Sequence, residues 1–220
     1  MTGPGAGARP MFRVKICGVT SAGDAGFAAA SGADAVGVNF FAGSRRRVPP
    51  GAAAAIVRAA RDGGATPVGV FVDERPEVVA AICRELGIDV VQLSGNEPAE
   101  EAGRLPFRRI KAVRLAGGFD AEALNAYPCE GFLVDAGGPG EFGGTGRTLE
   151  WAGIPGSRLR RPWILAGGLT PENVRTAIGL AHPGGVDVAS GVEDSPGRKN
   201  PAKVRLFIKN ALEGLNIERR

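Results

Sequence analysis

The sequence has little of what the commonest catalytic strategies use. Its 220 residues include a single histidine, His182, in the turn-like stretch AHPGG, so the usual histidine-based chemistry is excluded. Proton transfer would then fall to carboxylates, thiols or lysines. The three cysteines, at positions 17, 83 and 129, match no spacing typical of a zinc site or a disulfide. Unpaired thiols favour a reducing, cytoplasmic location.

Long apolar runs are also missing. No stretch approaches the roughly 20 apolar residues that a membrane-spanning helix needs. The start, MTGPGAGARP, lacks the apolar segment of a secretory signal. We therefore expect no membrane association. We interpret this start, residues 1–10, as a flexible tail. The composition shows no strong break along the chain, which predicts one domain over residues 11–220.

Aromatic residues are few, at 6%, and they do not alternate with the basic residues. Interleaved aromatic and basic side chains are typical of proteins that bind nucleic acid, so the sequence does not favour that function. The net charge of +4 is better suited to a small anionic ligand.

Eight short apolar segments rich in β-branched residues are present. They span residues 12–18, 35–40, 67–73, 89–95, 108–115, 131–137, 163–168 and 185–191. Most are separated by Ala-, Leu- and Glu-rich stretches of helical length, and the last stretch, NPAKVRLFIKNALEGL, has the apolar stripe of an amphipathic helix. This alternation predicts parallel strands joined by right-handed crossovers.

Eight such units in about 200 residues predict an α/β protein with a single (β/α)₈ TIM barrel of eight parallel strands. The rival fold is an open doubly wound sheet, which would carry GxGxxG between a strand and a helix. Here GGPGEFGG follows the sixth segment and leads into no convincing helix. The barrel is therefore preferred, with the short TLEWAGI stretch as the weak sixth helix.

Polar residues recur late in four of the predicted strands, on the face opposite the apolar one. They are Lys15 and Cys17 on the first strand, Gln92 and Ser94 on the fourth, Asp135 on the sixth and Asp187 on the eighth. We expect them to face the barrel interior near the carboxyl ends of the strands, where barrel enzymes place their active sites.

Each of these residues also has a purely structural interpretation. A buried cysteine is usually a small inert hydrophobe, and an aspartate at a strand end often caps a turn. An interior ion pair is the favoured interpretation for Lys15 and Asp187. Cys17 and Asp135, both predicted to point inward from strand ends, are the candidate catalytic pair.

Glycine-rich loops follow the seventh and eighth strands. Gly167 and Gly168 precede a helix that the sequence predicts to start with Thr170 as N-cap and Pro171 at the first position. Ser190 and Gly191 occupy the equivalent place after the eighth strand. Because barrels bind phosphate at these two loops, we predict a phosphate site there.

The motifs, taken together, resemble the phosphoribosylanthranilate isomerase family. They are KICGVT, GADAVGVNFF with SRRRV, VGVFVDE, VVQLSGNE, FLVDAGGPGEFGGTGRTLEW, LAGGLTPENV and GVDVASGVEDSPGRKNP. The resemblance runs in order from about residue 12 to residue 212, without large insertions. It implies a (β/α)₈ barrel of tryptophan biosynthesis that uses neither a cofactor nor a metal.

The resemblance also implies an activity. The family converts N-(5′-phosphoribosyl)anthranilate to 1-(2-carboxyphenylamino)-1-deoxyribulose 5-phosphate in an Amadori rearrangement, an intramolecular aldose–ketose isomerisation. Cys17 matches the general base and Asp135 the general acid. Arg46 matches the arginine that meets the anthranilate carboxylate, although a one-residue slip would select Arg45 or Arg47.

Further residues match the surroundings of that substrate. The substrate-binding set comprises Lys15, Gln92, Ser94 and Asp187, and the phosphate-binding set comprises Gly167, Gly168, Ser190 and Gly191. Lys15 is also the candidate for lowering the pKa of the Cys17 thiol, provided that Asp187 does not neutralise it.

Two residues depart from the family pattern. Ser94 stands where the family usually has histidine, and Asn39 where it usually has an apolar residue. A non-catalytic barrel that binds a phosphorylated metabolite therefore stays open, as does a related phosphoribosyl isomerase of histidine biosynthesis. Against the latter, the two halves of the chain show no repeat. A monomer and a homodimer are both compatible with the sequence.

Overall fold

The computed structural model of the chain describes residues 11–115, 118–136 and 151–217. Three features discussed above lie outside the described residues: the predicted tail over residues 1–10, the GGPGEFGG segment and the first half of TLEWAGI. Within the described part, no helix is long and apolar enough to cross a membrane.

Eight parallel strands form a closed barrel, in which each strand pairs with the next along the chain. They are β1 (Val14–Ile16), β2 (Ala35–Asn39), β3 (Thr66–Phe71), β4 (Val90–Leu93), β5 (Arg108–Arg114), β6 (Gly131–Asp135), β7 (Trp163–Ala166) and β8 (Gly185–Val188). Pairing of β8 with β1 closes the sheet. Every predicted segment overlaps one of these strands, and only β3 begins outside its segment, by one residue, so the (β/α)₈ prediction is confirmed.

Helices follow the strands on the outside of the barrel. They are α1 (Ala22–Ala30), α2 (Pro50–Asp62), α3 (Pro76–Leu86), α4 (Ala99–Gly103), α5 (Ala121–Ala126), α6 (Val174–Ala181) and α7 (Pro201–Ile217). Two short 3₁₀ helices, Trp151–Gly153 and Pro155–Arg158, occupy the weak sixth unit. There the buried Trp151 side chain supplies apolar bulk.

One element was not predicted from the sequence. After β8 the chain forms a small antiparallel hairpin of β9 (Glu193–Ser195) and β10 (Arg198–Lys199). Gly197 turns between the two strands with a φ of 86°, a conformation that favours glycine. The strands are too short for an alternating pattern to be recognisable.

The start of α6 differs from the prediction. Thr170 was expected to be the N-cap, but the helix begins at Val174. The reason is Asn173, whose side chain accepts from the Thr170 amide at 2.7 Å and donates to the Gly168 carbonyl at 2.9 Å. These bonds fold residues 170–173 into a turn before the helix starts.

The core has two apolar layers separated by the sheet. The outer layer lies between strands and helices and includes one face of α7, as its amphipathic pattern predicted: Val204, Phe207, Ile208 and Ala211 are buried there. The inner layer fills the barrel with side chains from alternating strand positions, among them Ala35, Val68, Val90, Ile110, Leu133 and Ile164. This is the arrangement that a packed barrel interior requires.

A charged pair is buried across the seam that closes the barrel. Lys15 on β1 and Asp187 on β8 are register partners, and the Lys15 Nζ donates to the Asp187 Oδ1 at 2.8 Å. The Lys15 side chain is fully buried. Burial alone would lower the pKa of Lys15, but Asp187, and then Cys17, raise it above its ordinary value. The predicted interior ion pair is confirmed.

Replacing Lys15 by Met should destabilise the fold by about 3–5 kcal/mol, because the buried Asp187 carboxylate would lose its counter-ion. Urea unfolding at neutral pH measures this change. Lys209→Met, at an exposed position of α7, is the matched control and should change stability by less than about 0.5 kcal/mol.

The double variant Lys15→Met with Asp187→Leu should recover most of the lost stability, because both charges are then gone from the interior. A loss below about 1 kcal/mol for Lys15→Met alone would mean that the ion pair does not hold the seam.

Candidate active site

The polar residues predicted to point inward do share one face of the barrel strands. Cys17 and Ser94 come directly after β1 and β4, and Asp135 is the last residue of β6. All three are half-buried, as expected at the rim of a barrel. Their strand neighbours, among them Ile16, Leu93 and Val134, belong to the outer apolar layer. The predicted interior orientation is therefore confirmed for these strands.

Glycines make room for the Cys17 thiol. A Cβ on Gly37 of β2 would lie 2.7 Å from the Cys17 Sγ and 3.2 Å from the Lys15 Nζ. Those distances leave no space for a side chain at position 37. Gly18, with a φ of 67°, turns the chain immediately after the cysteine, and a Cβ there would collide with the Arg46 side chain. The KICG motif therefore ends in glycine because an arginine packs over that position.

The charges around Cys17 act in opposite directions. Burial raises the pKa of the Cys17 thiol, the Lys15 ammonium lowers it, and the Asp187 carboxylate raises it again. The sum is a pKa above the ordinary value. Activation by Lys15 was expected only if Asp187 did not neutralise it, and the 2.8 Å pair shows that Asp187 is its partner.

Arg46 is the arginine of SRRRV that lies at the site. Arg45 and Arg47 are exposed, whereas Arg46 is half-buried beside the turn after Cys17. Its Nε and Nη2 donate to the Glu193 carboxylate, at 2.9 Å to Oε1 from Nε and 2.7 Å to Oε2 from Nη2. Sequence reasoning did not single out Glu193, although the quoted SGVE stretch contains it.

Asn39, the second departure from the family pattern, organises the loop that carries Arg46. Its side chain donates to the Ser44 Oγ at 3.1 Å and accepts from the Phe41 amide at 2.9 Å. Ser44 Oγ in turn accepts from the Arg46 amide at 3.1 Å. The polar side chain at the end of β2 thus has a local structural partner for both of its groups.

Gln92 has an unused acceptor inside the barrel. Its side chain is 5% exposed, and its Nε2 donates to the Ser94 Oγ at 3.1 Å. The Oε1 is buried and, among the described residues, finds no hydrogen-bond partner. Because an unsatisfied buried amide is costly, this oxygen marks a place where a bound molecule or water would donate.

The loops after β7 and β8 lie against each other. Gly167 and Gly168 have φ values of 89° and 65°, and a Cβ on Gly191 would collide with the Leu169 carbonyl. Ser190 opens a single 3₁₀ turn, Ser190–Val192. Gly191 is thus needed for the close approach of the two backbones, and Gly167 and Gly168 for their left-handed conformation. The role of these loops in binding phosphate stays a prediction.

No metal centre is formed by the part of the chain that the structure describes, because nowhere in it do three or more His, Cys, Asp or Glu side chains come together with suitable geometry. The buried charges at the rim are instead paired with one another. The mouth of the barrel thus presents a thiol and a carboxyl group that can exchange protons, Cys17 and Asp135, and a cation that can bind an anion, Arg46.

The Cys17 thiol should react with iodoacetamide along a pH profile whose midpoint lies above the ordinary thiol pKa of about 8.5, because burial raises the pKa of this group. In folded Asp187→Asn protein the midpoint should be lower, since the variant removes a negative charge beside the thiol and leaves the Lys15 ammonium without its partner. Mass spectrometry of labelled peptides gives the rate at each pH.

Cys17→Ala identifies the labelled residue. Cys83, whose pKa burial raises to about 12, serves as an internal thiol that stays protonated. A midpoint for Cys17 that does not move in Asp187→Asn would contradict the assigned balance of charges.

The chain is similar to known proteins over most of its length. The model of the family described as N-(5′-phosphoribosyl)anthranilate (PRA) isomerase matches residues 14–210. The protein of that name from Geotalea uraniireducens (strain Rf4) is 44% identical over 206 residues, 91% of this chain and 98% of that protein. The one from Desulforudis audaxviator (strain MP104C) is 45% identical over 207 residues, 93% of this chain and 100% of that protein.

Solved structures give the same result. A phosphoribosyl anthranilate isomerase from Thermotoga maritima superposes with a TM-score of 0.83 at 40% identity, over 92% of this chain and 100% of that one. A complex of such an enzyme with reduced 1-(o-carboxyphenylamino)-1-deoxyribulose 5-phosphate has a TM-score of 0.80 at 39% identity, with the same coverage. Monomers generated from the dimeric Thermotoga maritima protein give 0.79 at 38% identity, again with that coverage.

Proposed function

The chain belongs to the N-(5′-phosphoribosyl)anthranilate isomerase family, and we propose that it isomerises this substrate with Cys17 as general base and Asp135 as general acid. The reaction of the family is an Amadori rearrangement in tryptophan biosynthesis. The observation that carries the assignment of the base is the setting of Cys17. It is the half-buried thiol at the barrel rim, whereas Cys83 and Cys129 are buried in the outer layer.

In the proposed mechanism Asp135 donates a proton to the furanose ring oxygen, and the C1′–O bond breaks to give a Schiff base. The Cys17 thiolate then removes the C2′ proton, and the electron pair moves to the nitrogen to give an enolamine. Tautomerisation of the enolamine gives the ketone. The overall change is an isomerisation, so no external oxidant or reductant is needed.

A pKa above the ordinary value is compatible with this role. The thiolate fraction at neutral pH is small, but the thiolate that forms is a correspondingly stronger base. Lys15, which opposes the effect of burial on the Cys17 pKa, would stabilise that thiolate. The proton at C2′ is acidified by the adjacent Schiff base, which reduces the demand on the base.

The substrate would span the mouth of the barrel. Its aromatic carboxylate is assigned to Arg46, and its phosphate to the backbone of Gly167, Gly168, Ser190 and Gly191. The buried Oε1 of Gln92, which lacks a partner among the described residues, would accept a hydrogen bond from a sugar hydroxyl or from the anthranilate nitrogen. Lys15 and Asp187 would form the floor beneath the reacting carbon.

Ser94 is smaller than the histidine that the family usually has at this position, but it still has a hydrogen-bond partner in the site. It accepts from Gln92 at 3.1 Å, so a serine suffices to hold the Gln92 amide in place. Proton transfer in the proposed mechanism is assigned to Cys17 and Asp135 alone. For this reason we place the active isomerase above the alternative of a binding-only barrel.

Further properties follow from the proposed role. The reaction falls in the class of intramolecular oxidoreductases that interconvert aldoses and ketoses. Three unpaired cysteines support a cytoplasmic location. The related protein from Thermotoga maritima is described as dimeric. Sedimentation velocity of this chain would decide between a monomer and a homodimer.

Cys17→Ala and Asp135→Asn should each lower turnover at least about 100-fold, because each removes a group that transfers a proton in the reaction. Phosphoribosylanthranilate is generated in situ, and the decay of its fluorescence measures turnover. Cys83→Ala is the matched control, since this thiol lies in the outer layer, and it should retain activity within about threefold.

Folded Cys17→Ala or Asp135→Asn protein with turnover near that of the wild type would overturn the assigned role of that residue. Folded wild-type protein without turnover would favour the barrel that only binds a phosphorylated metabolite.

A further inference from the structure

Glu193 is a buried carboxylate at the rim to which the mechanism assigns no part. It opens β9, and its side chain is 4% exposed. Its two oxygens accept from Arg46, from the Lys199 Nζ at 2.8 Å and from the Gly197 amide at 3.2 Å. One carboxylate therefore connects the loop after β2 with the hairpin after β8.

Lys199 extends this connection to the proposed base. Its side chain is 2% exposed, and besides Glu193 its Nζ donates to the Cys17 carbonyl at 2.6 Å and the Ala189 carbonyl at 3.0 Å. All three donors of the ammonium are thus used. They fix the backbone at the ends of β1 and β8 relative to Glu193.

The bonds to Glu193 occupy one edge of the Arg46 guanidinium. A guanidinium has five N–H donors and can receive carboxylates on more than one edge. Glu193 uses the edge formed by Nε and Nη2. Within the described residues, Nη1 is bonded to no acceptor, so the edge formed by Nη1 and Nη2 can receive a second carboxylate.

The charges of this cluster favour an additional anion. Burial raises the pKa of Glu193, but the hydrogen bonds from Arg46 and Lys199, together with their charges, lower it by more. The pKa therefore lies below its ordinary value, and the carboxylate is ionised at neutral pH. Burial lowers the pKa of Lys199, and Glu193 opposes that effect. With both cations charged, the cluster holds two positive charges against one negative charge. A carboxylate that arrives at Arg46 therefore meets a net positive group.

We propose that Glu193 is a positioning residue that orients Arg46, so that the free edge of its guanidinium selects a substrate with an aromatic carboxylate. The same carboxylate, through Lys199, holds the backbone of Cys17 at a fixed place relative to that arginine. This inference rests on the proposed function for the identity of the carboxylate. A purely structural role for Glu193 would stabilise the loops without affecting which ligand is selected.

The test compares two probes on wild type and Glu193→Gln by isothermal titration calorimetry. One probe is reduced 1-(o-carboxyphenylamino)-1-deoxyribulose 5-phosphate, and the other is its counterpart made from aniline, which lacks the carboxylate. Wild type should bind the first at least about tenfold more tightly, the effect of one charge-assisted contact. Glutamine has one acceptor oxygen where Glu193 offers two, so Arg46 loses its fixed orientation. Although the variant leaves the cluster more positive, Glu193→Gln should therefore lose most of this preference.

The carboxylate-free probe should bind wild type and Glu193→Gln within about threefold of each other, because it does not use Arg46. An unchanged preference for the carboxylate probe in Glu193→Gln would overturn the proposal. A parallel loss of affinity for both probes would also overturn it, since this is the pattern of a merely structural role.

Glu130→Gln is the matched control. Glu130 makes a similar pair with Arg109, at 3.0 Å, beside the amino end of β5 and away from the rim. This variant should keep the preference of the wild type. If Glu193→Gln does not fold, Glu193→Asp replaces it, because aspartate keeps the charge but is too short to reach Arg46 and Lys199 together. It should lose part of the preference, and a full preference would overturn the proposal.

Turnover of phosphoribosylanthranilate is measured separately on the same proteins. Wild type without turnover would overturn the proposed function, while the comparison of the two probes still decides the role of Glu193. For active protein, Glu193→Gln should raise KM by a larger factor than it lowers kcat, because the orientation of Arg46 acts chiefly on substrate binding.

Discussion

The ion pair of Lys15 and Asp187 is the constraint on which the site depends. It lies inside the barrel at the seam where β8 meets β1. The same contact therefore joins the two strands that close the sheet and neutralises the two charges buried there. Neither charge could be buried alone at an acceptable cost in free energy. Cys17 follows Lys15 by two residues and is influenced by both charges with opposite sign. The reactivity of the thiol is therefore tied to the contact that closes the fold.

Buried glutamates organise the rim on two sides of the barrel. Glu97 accepts from the backbone amides of Asp73 and Gly95, at 3.1 and 2.8 Å, and from the Lys111 Nζ at 2.6 Å. It thereby joins the loops after β3 and β4, beside Ser94. Glu193 joins the loops after β2 and β8 in a similar way. In both cases a carboxylate with a buried lysine replaces the hydrophobic packing that irregular loops lack.

The period of two along the strands made most of the fold and the inward-facing residues predictable, because it separates Lys15 and Cys17 from Val14 and Ile16 without any knowledge of distant contacts. Part of what escaped prediction depends on contacts between residues far apart in the chain, and part on local side-chain hydrogen bonds. Glu193 lies 147 positions from its partner Arg46. The start of α6 was misplaced because a side chain, Asn173, competes with the first helical turn. The sequence favoured Arg46 but left Arg45 and Arg47 open, and the structure separates the three because only Arg46 is half-buried.

The closing contacts of the barrel also have a consequence for protein synthesis. Cys17 leaves the ribosome long before three residues that surround it with charge and hold its backbone, namely Asp187, Glu193 and Lys199. A nascent chain that has already made the first four strands carries the thiol without its later partners. The acid–base environment of that thiol is completed only when β8 and the hairpin dock, so a truncated chain exposes an ordinary cysteine rather than a partly working enzyme.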